Sequence, residues 1–366
     1  MRHFFRRLVG RLGPAFRSDT AFLEGAYREI LGREADQDGL NYYGALLREG
    51  ASRTAVLMSL VRSEEFTSRL AKAPPELTNV RALRPDRYRQ AVDRTNGQSV
   101  TVFDAAGSSD FDWLEAAILE NGYYEQPGVW NFGVDVDKRV MAEIVASFGP
   151  QRALELGCAA GAVLECLHAL GVDAEGIEIS AMAVARAPVG VRPCIHRGDL
   201  LSLDLPTDYD VVFGLDVFEH LNPNRLDAYL ERLARITRAS GYLFCNVPSF
   251  GADPVFGTVF PFYLAGWERE AAAGTHFSTL HVDDLGYPLH GHLVWADTSW
   301  WARRFEAHGF RREVEIERAL HAKYDDYMDK RSRARKAYYV FSKEADPERN
   351  RAVIERVRTE RSRALA

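Results

Sequence analysis

Three acidic residues and two glycines have the types and the spacing that could bind a small organic ligand. Glu155, Gly157 and Gly161 lie in the run ALELGCAAGAVL, while Glu178 and Asp199 close the next two strand-like segments. Glycine allows backbone angles that other residues avoid and lets a ligand approach the main chain. Free amides at a helix start favour a negative group, such as a ligand carboxylate. The carboxylate at 178 could accept both hydroxyls of a ribose, and that at 199 could accept from an adenine amino group.

Alternating strand-like and helical segments surround these residues. The predicted strands are RALELG, DAEGIEIS, RPCIHRGDL, YDVVFGLD, GYLFCNVP, RREVEIERAL and KAYYVFSK, with helical segments such as AAGAVLECLHAL and TSWWARRFEAHGF between them. This alternation predicts an α/β domain with a mostly parallel sheet and helices on both faces. Ligands of such sheets bind at the carboxyl ends of the strands, where the strand order reverses. The acidic residues should therefore meet at one crevice.

The length of 366 residues predicts more than one domain. The predicted parts are a basic segment over 1–18, a small all-α domain of three helices over 19–70, a transition over 71–111, the α/β domain over 112–343 with a lid insertion at about 249–297, and a basic, solvated helix or tail over 344–366.

Composition limits the classes of function. The net charge of −6 gives no indication of a general nucleic-acid binder. No CxxC pair occurs among the four cysteines, which predicts reduced thiols and a cytoplasmic protein. No apolar run is long enough to span a bilayer. The basic segment 1–18 could contact an anionic lipid surface weakly, or it could be a frayed terminus.

The ordered motifs resemble the class I S-adenosylmethionine-dependent methyltransferases. The set is Glu155-x-Gly157-x-x-x-Gly161, an acid closing the second strand, an acid closing the third, and YDVVFGLDVFEHL for the fourth. The resemblance implies a Rossmann-like, seven-stranded, mostly parallel sheet with S-adenosylmethionine as cofactor, in which 155–161 hold the methionine part. The residues that it assigns to the cofactor are Glu155, Gly157, Cys158, Ala159, Gly161, Glu178, Ile179, Asp199, Leu200, Leu215 and Asp216. Ala159 departs from the family, since many members have glycine there, and a positive φ at this alanine would be strained.

Residues 19–70 resemble a small helical family, domain of unknown function 4214, on the stretch FLEGAYREILGREADQDGLNYYGALLREGASRTAVLMSLVRSEEF. That family recurs in bacterial surface-associated and polysaccharide-related proteins. The resemblance implies no chemistry, but it suggests a glycan acceptor as an alternative to another small molecule.

Histidines of the lid and of the FEHL motif are the candidate catalytic residues. A hydroxyl acceptor needs a base to take its proton, and histidine titrates near neutrality. The candidate bases are His292, then His290, although a hydrogen-bonded structural role would explain either equally well. His220 could contact the donor or the acceptor, or it could only fix its loop. Tyr123, Tyr124 and Trp130 precede the first strand, where similar proteins fold a lid over the donor, although core packing would explain them equally well. No metal site is predicted, because one acidic pair in the lid, Asp283 and Asp284, is too little for one.

The sequence therefore predicts a methyltransferase, and it favours oxygen over nitrogen or carbon as the atom that receives the methyl group. Two alternatives remain open at this stage. Nicotinamide and flavin folds also use glycine turns, so a nicotinamide-dependent oxidoreductase is one. A non-catalytic donor-binding scaffold protein is the other.

Overall fold

The computed structural model of the chain describes residues 18–31, 34–61, 63, 75–126, 128 and 132–365. The predicted basic segment, except Ser18, and the predicted lid residue Trp130 lie outside these residues. Within the part of the chain that the structure describes, no helix is both long enough and apolar enough to cross a membrane.

The helices and strands are numbered here in chain order. The α-helices of the described residues are α1 (Asp19–Ala26), α2 (Gln37–Arg48), α3 (Arg53–Val61), α4 (Ser108–Glu120), α5 (Val136–Ser147), α6 (Ala162–Ala169), α7 (Ala181–Arg186), α8 (Leu226–Ile236), α9 (Trp267–Ala272), α10 (Thr298–Ala307), α11 (Val314–Arg331) and α12 (Pro347–Thr359). The strands are β1 (Tyr88–Val92), β2 (Ser99–Asp104), β3 (Arg152–Leu156), β4 (Asp173–Glu178), β5 (Ile195–Arg197), β6 (Tyr209–Leu215), β7 (Thr237–Asn246), β8 (Ser249–Phe250), β9 (Ala252–Asp253), β10 (Gly257–Thr258), β11 (Thr279–His281), β12 (Ala296–Asp297), β13 (Arg311–Arg312) and β14 (Tyr338–Ser342).

The largest sheet has seven strands in the order β13-β14-β7-β6-β3-β4-β5. β3 pairs in parallel with both β4 and β6, whereas β14 pairs antiparallel with both β7 and the edge strand β13. The predicted α/β class with a mostly parallel seven-stranded sheet and a small helical N-terminal unit is therefore confirmed. Because the chain leaves β3 towards β4 and later returns beside β3 as β6, a crevice opens at the carboxyl end of β3.

Both faces of the sheet are buried, as β6 illustrates. Side chains point alternately to the two faces along a strand. Val211 and Phe213 therefore pack with the helices on one face, and Val212 packs with those on the other. Tyr209 also lies on the second face, because the strand register shifts between Tyr209 and Val211. A strand that is covered on both sides is apolar at nearly every position, which explains the run VVF.

The N-terminal helices α1 to α3 enclose a small core of their own, in which Phe22, Leu57 and Leu60 are buried. Asp36 caps α2 by accepting a hydrogen bond from the Gly39 amide at 2.7 Å, as expected for a side chain at a helix start. The three helices that the sequence predicted in this region are all present.

The prediction of a strand over RREVEIERAL is wrong. Only Arg311 and Arg312 are extended, and α11 begins at Val314. Ile316 and Leu320 are four residues apart and buried on one face of this helix. The alternation of valine, isoleucine and glutamate imitates a strand, but Glu317 is itself buried as an ion-pair partner rather than exposed on a polar face.

The segment predicted as a transition, 71–111, contains ordered structure that supports the lid. β1 and β2 form a hairpin, and β11 from the lid insertion adds to it as a third strand. Phe103, Trp267 and Phe277 are fully buried in the core beneath this small sheet. The lid insertion is therefore packed on a core of its own.

The basic C-terminal helix is not merely solvated, in contrast to the expectation. Val353 and Val357 of α12 are buried in the core shared with α5, and Arg356 donates to the Ser147 carbonyl at 2.6 Å. Arginines cover the outer face, which hides the short apolar stripe in the sequence.

A buried ion-pair triad joins the lid to the sheet edge and gives a test of the fold. Arg312 lies 2.8 Å from both Asp253 and Glu317, whose side chains are only 2% and 0% exposed. Arg312→Ala leaves two buried carboxylates unpaired and should lower the free energy of unfolding by about 3–5 kcal/mol. Arg318→Ala removes an exposed ion pair with Glu315 and should change the free energy of unfolding by less than about 1 kcal/mol. Urea unfolding of both variants measures this, and equal effects would contradict the role of the triad.

Candidate active site

A large cavity lies at the carboxyl ends of β3, β4 and β6, with a volume of about 1200 Å³. All but one of the predicted site residues line it: Glu155, Gly157, Cys158, Ala159, Glu178, Ile179, Asp199, Leu200, Leu215, Asp216, His220, His290 and His292. Gly161 is the exception. It lies directly before α6 with a φ of 74°, and a Cβ atom there would lie 2.4 Å from Val191, so its backbone conformation and its packing both favour glycine.

The turn after β3 is held in left-handed conformations. Gly157 has a φ of 63°, and Ala159 has a φ of 49°. The strain expected at this alanine is therefore present, and it costs of order 1–3 kcal/mol. The Ala159 amide donates to Glu178 Oε2 at 2.9 Å, while the Gly161 amide donates to the Cys158 carbonyl at 2.7 Å. The first bond ties the turn to the end of β4, and the second closes the turn itself.

Glu178 is buried at the end of β4, with both carboxylate oxygens held by main-chain amides. Oε2 accepts from Ala159, and Oε1 accepts from Ser180 at 2.7 Å. Burial raises the pKa of Glu178 above its usual value despite these bonds. Each carboxylate oxygen can accept a second hydrogen bond, so the group can bind the turn and a ligand hydroxyl together.

Glu155 lies beneath the turn as a buried acid with spare accepting capacity. Its side chain is 4% exposed, and Oε2 has no hydrogen-bond partner among the described residues. Burial, together with the negative charge of Glu178, raises the pKa of Glu155 to about 8, while Arg335 and Lys138 oppose this shift. A cationic ligand group would relieve this unpaired acid.

Asp199 ends the next strand region and is held in place by a tyrosine that sequence reasoning did not identify. Tyr229 of α8 donates its hydroxyl to Asp199 Oδ2 at 2.5 Å, and the Leu201 amide donates to Oδ1 at 2.7 Å. Ile179 is 43% exposed at the cavity, whereas Leu200 is buried. In the sequence Tyr229 has the spacing of a core aromatic residue in an amphipathic helix, so nothing in the sequence indicates that it contacts Asp199.

Arg335 is a second residue that the sequence analysis missed. Its guanidinium forms an ion pair with Asp216, which has a φ of 53°, and it also donates to Asp137 at 2.8 Å and Asn246 at 2.7 Å. It thereby places a fixed positive charge on the cavity wall. Its position in the basic run RSRARK gave no signal, because the acidic partners are distant in the chain.

The three histidine candidates come together on the wall of the same cavity, and Glu219 joins two of them. Glu219 Oε1 lies 3.7 Å from His292 Nε2 and 4.0 Å from His220 Nε2. The rings of His220 and His292 have centroids 4.8 Å apart, and that of His290 lies 5.6 Å from His292. Tyr124 is 3.0 Å from His220 Nδ1.

Burial keeps two of these imidazoles neutral. It lowers the pKa of His220 to about 4 and that of His292 well below its usual value. The Leu293 and Val294 amides both donate to the Glu219 carbonyl, at 2.7 and 2.8 Å, so the lid is attached directly to the FEHL motif. The sequence points to His220 in this motif but not to Glu219, because nothing in the sequence context of Glu219 indicates burial.

The chain belongs to the methyltransferase domain family, which matches residues 135–322. A domain of unknown function, DUF4214, matches residues 15–70, as the N-terminal resemblance predicted. The predicted class, a methyltransferase that uses S-adenosylmethionine, is confirmed. Membership in this family favours it over the nicotinamide-dependent oxidoreductase.

Individual relatives are distant. Nodulation protein S of Azorhizobium caulinodans is 28% identical over 111 residues, which cover 29% of this chain and 54% of that protein. The chain thus spans about half the length of this curated relative. The 1,6-didemethyltoxoflavin-N1-methyltransferase of Burkholderia thailandensis is 15% identical with a TM-score of 0.42, covering 68% of this chain and 96% of that one. An O-methyltransferase from a trans-AT PKS multienzyme of Brevibacillus brevis is 13% identical with a TM-score of 0.35, over 62% and 79% of the two chains. At these values no substrate can be transferred to this protein.

The raised pKa of Glu155 predicts a pH dependence of donor binding. Below its pKa of about 8 the free carboxyl is protonated, so a donor ammonium can pair with it only after that proton is released. Affinity for S-adenosylhomocysteine should therefore fall as pH falls from about 8.5 to 6.5, by up to about tenfold per pH unit. The ammonium group of the ligand titrates in the same way with every variant. Glu155→Gln should therefore remove only the share of the pH dependence of affinity that is due to Glu155. Calorimetry at several pH values measures the affinity of the wild type and of Glu155→Gln. Equal slopes of affinity against pH for the two proteins would contradict the pairing of Glu155 with the donor ammonium.

Proposed function

We propose that this protein transfers the methyl group of S-adenosylmethionine to a hydroxyl oxygen of a small molecule or of a sugar in surface polysaccharide metabolism. The observation that carries the proposal is that His220 and His292, whose pKa values are lowered by burial, line the same cavity as the acidic residues of the β3 and β4 ends. One cavity thus offers groups for a donor and a base for an acceptor.

The donor is assigned to the acidic side of the cavity. In this proposal Glu155 accepts from the methionine ammonium and Glu178 accepts from the ribose hydroxyls. Asp199, positioned by Tyr229, accepts from the adenine amino group, with Ile179 as an apolar wall. Leu215 and Asp216 then lie near the sulfonium. The free oxygen of Glu155 supports this arrangement.

The cavity has room for a second ligand beside the donor. Its volume of about 1200 Å³ exceeds the roughly 300–1,000 Å³ of most single-ligand pockets. His220, His290 and His292 line it, so an acceptor bound there would meet imidazole nitrogen rather than a charged amine.

The reaction is an in-line displacement. The acceptor hydroxyl gives its proton to His292 Nε2, its oxygen forms a bond to the methyl carbon, and the carbon–sulfur electron pair returns to sulfur. The sulfur leaves neutral, so no acid is required. Holding the three atoms in line can contribute about 7–11 kcal/mol, and the base adds about 10²–10⁴-fold.

The N-terminal helical domain supports the sugar version of the acceptor only by association, since a fold does not determine a substrate. The non-catalytic scaffold remains the competing hypothesis. It predicts slow hydrolysis of the donor and no methylated product. Mass spectrometry of small-molecule and glycan extracts incubated with protein and donor separates the two, because a product that is heavier by one methylene supports transfer.

Replacing His292 tests the base with any acceptor found in this way. His292→Ala should lower turnover by about 10²–10⁴-fold while leaving the affinity for S-adenosylhomocysteine nearly unchanged. His276→Ala is the matched control, because that lid histidine packs between Phe111 and Trp300 and should keep its activity. Full turnover of His292→Ala would remove this residue from the mechanism.

A further inference from the structure

Glu219 is a fully buried acid whose carboxylate has no hydrogen-bond partner in the described part of the chain. Its side chain is 0% exposed, and neither carboxylate oxygen has a hydrogen-bond partner among the described residues. Burying a carboxyl group without a partner costs free energy. A nearby cation would offset that cost, and no arginine or lysine in the described residues pairs with Glu219.

The groups around this carboxylate are histidine nitrogens. The ligand atoms of Glu219, His220 and His292 all lie within 4.8 Å of one another. Tyr124 contacts His220 Nδ1 at 3.0 Å, which leaves Nε2 facing Glu219. Such a contact to the second ring nitrogen is the usual way in which a metal-binding histidine is oriented.

The distances are close to those of a metal site. Atoms that bind one ion at about 2.1 Å lie roughly 3 to 4 Å from each other. Glu219 Oε1 is already 3.7 and 4.0 Å from the two imidazole nitrogens. Side-chain shifts of less than about 1 Å would therefore close the three atoms around an ion.

We propose that Glu219, His220 and His292 bind one divalent transition-metal ion, for which zinc is the best-matched probe. Two imidazoles and one carboxylate suit zinc and similar first-row ions, and three protein ligands leave a position open for a further ligand. The two histidines line the large cavity, whereas Glu219 does not. The open position therefore faces the space that the acceptor would occupy.

The role of the ion, though not its binding, rests on the proposed function. An acceptor hydroxyl bound to the ion loses its proton to solvent more readily, because the ion lowers the pKa of that oxygen. The oxygen then attacks the methyl carbon, and the carbon–sulfur pair returns to sulfur. His292 acts as a ligand in this version rather than as the base, and its loss still stops turnover.

The test uses the full chain prepared without a polyhistidine tag. After removal of metal with a chelator, the protein is dialysed against micromolar zinc chloride, and bound zinc is measured by inductively coupled plasma mass spectrometry. The wild-type chain should retain about one zinc ion, and Glu219→Gln and His292→Gln should each weaken binding by at least about tenfold, since even outer-shell changes cost that much. Cobalt in place of zinc should give a visible spectrum that both variants lose.

His308→Gln is the matched control. His308 also pairs with a carboxylate, that of Asp227 at 2.7 Å, but among the described residues it belongs to no group of three metal-binding side chains, so the substitution should leave zinc binding unchanged. Wild-type protein that holds no more zinc than Glu219→Gln, or zinc lost equally from His308→Gln, would overturn the inference. Circular dichroism of each variant verifies its fold.

Calorimetry with S-adenosylhomocysteine on the same samples separates this inference from the proposed function. Donor binding without zinc binding would refute the metal site alone. Zinc binding without donor binding would leave the metal site standing and count against the methyl transfer.

Discussion

The hydrogen bond from the Ala159 amide to Glu178 Oε2 is the constraint on which the site depends. It joins the turn after β3 to the end of β4 at 2.9 Å. A hydrogen bond to a charged acceptor contributes about 1.5–3 kcal/mol, which is comparable to the 1–3 kcal/mol that a left-handed alanine costs. The same carboxylate that we assign to the ribose therefore also maintains the turn that we assign to the methionine part, so the two halves of the donor site form together.

Keeping Glu178 buried has consequences for the rest of the cavity. Its negative charge helps to raise the pKa of Glu155, so that near neutral pH this acid must release a proton before it can pair with a cationic ligand. Glu219 does not line the cavity but lies beside His220 and His292, which do, and its oxygens are also buried and unpaired among the described residues. Arg335 instead neutralises Asp216. The cavity thus pairs some of its acids internally and leaves others for ligands.

Sequence reasoning located residues correctly where the position of a residue in a strand decides which cavity it lines. Glu178 and Asp199 were predicted to share a site because parallel strands bring their carboxyl ends to one edge. Arg335 and Tyr229 could not be predicted, because each is defined by a partner far away in the chain, and neither residue type is unusual in its local context. The strand predicted over RREVEIERAL is wrong because of Glu317. In the sequence, a glutamate that is buried as an ion-pair partner cannot be distinguished from one on an exposed polar face.

The most direct measurement is the affinity of S-adenosylhomocysteine for the Glu178→Ala variant by calorimetry. Asp173→Asn, at the exposed start of the same strand, is the matched control. Loss of a carboxylate that accepts from both the turn and the ribose should weaken binding by at least about tenfold, with the control unchanged and both proteins folded. A folded Glu178→Ala protein that binds as tightly as the wild type would contradict the proposed donor site.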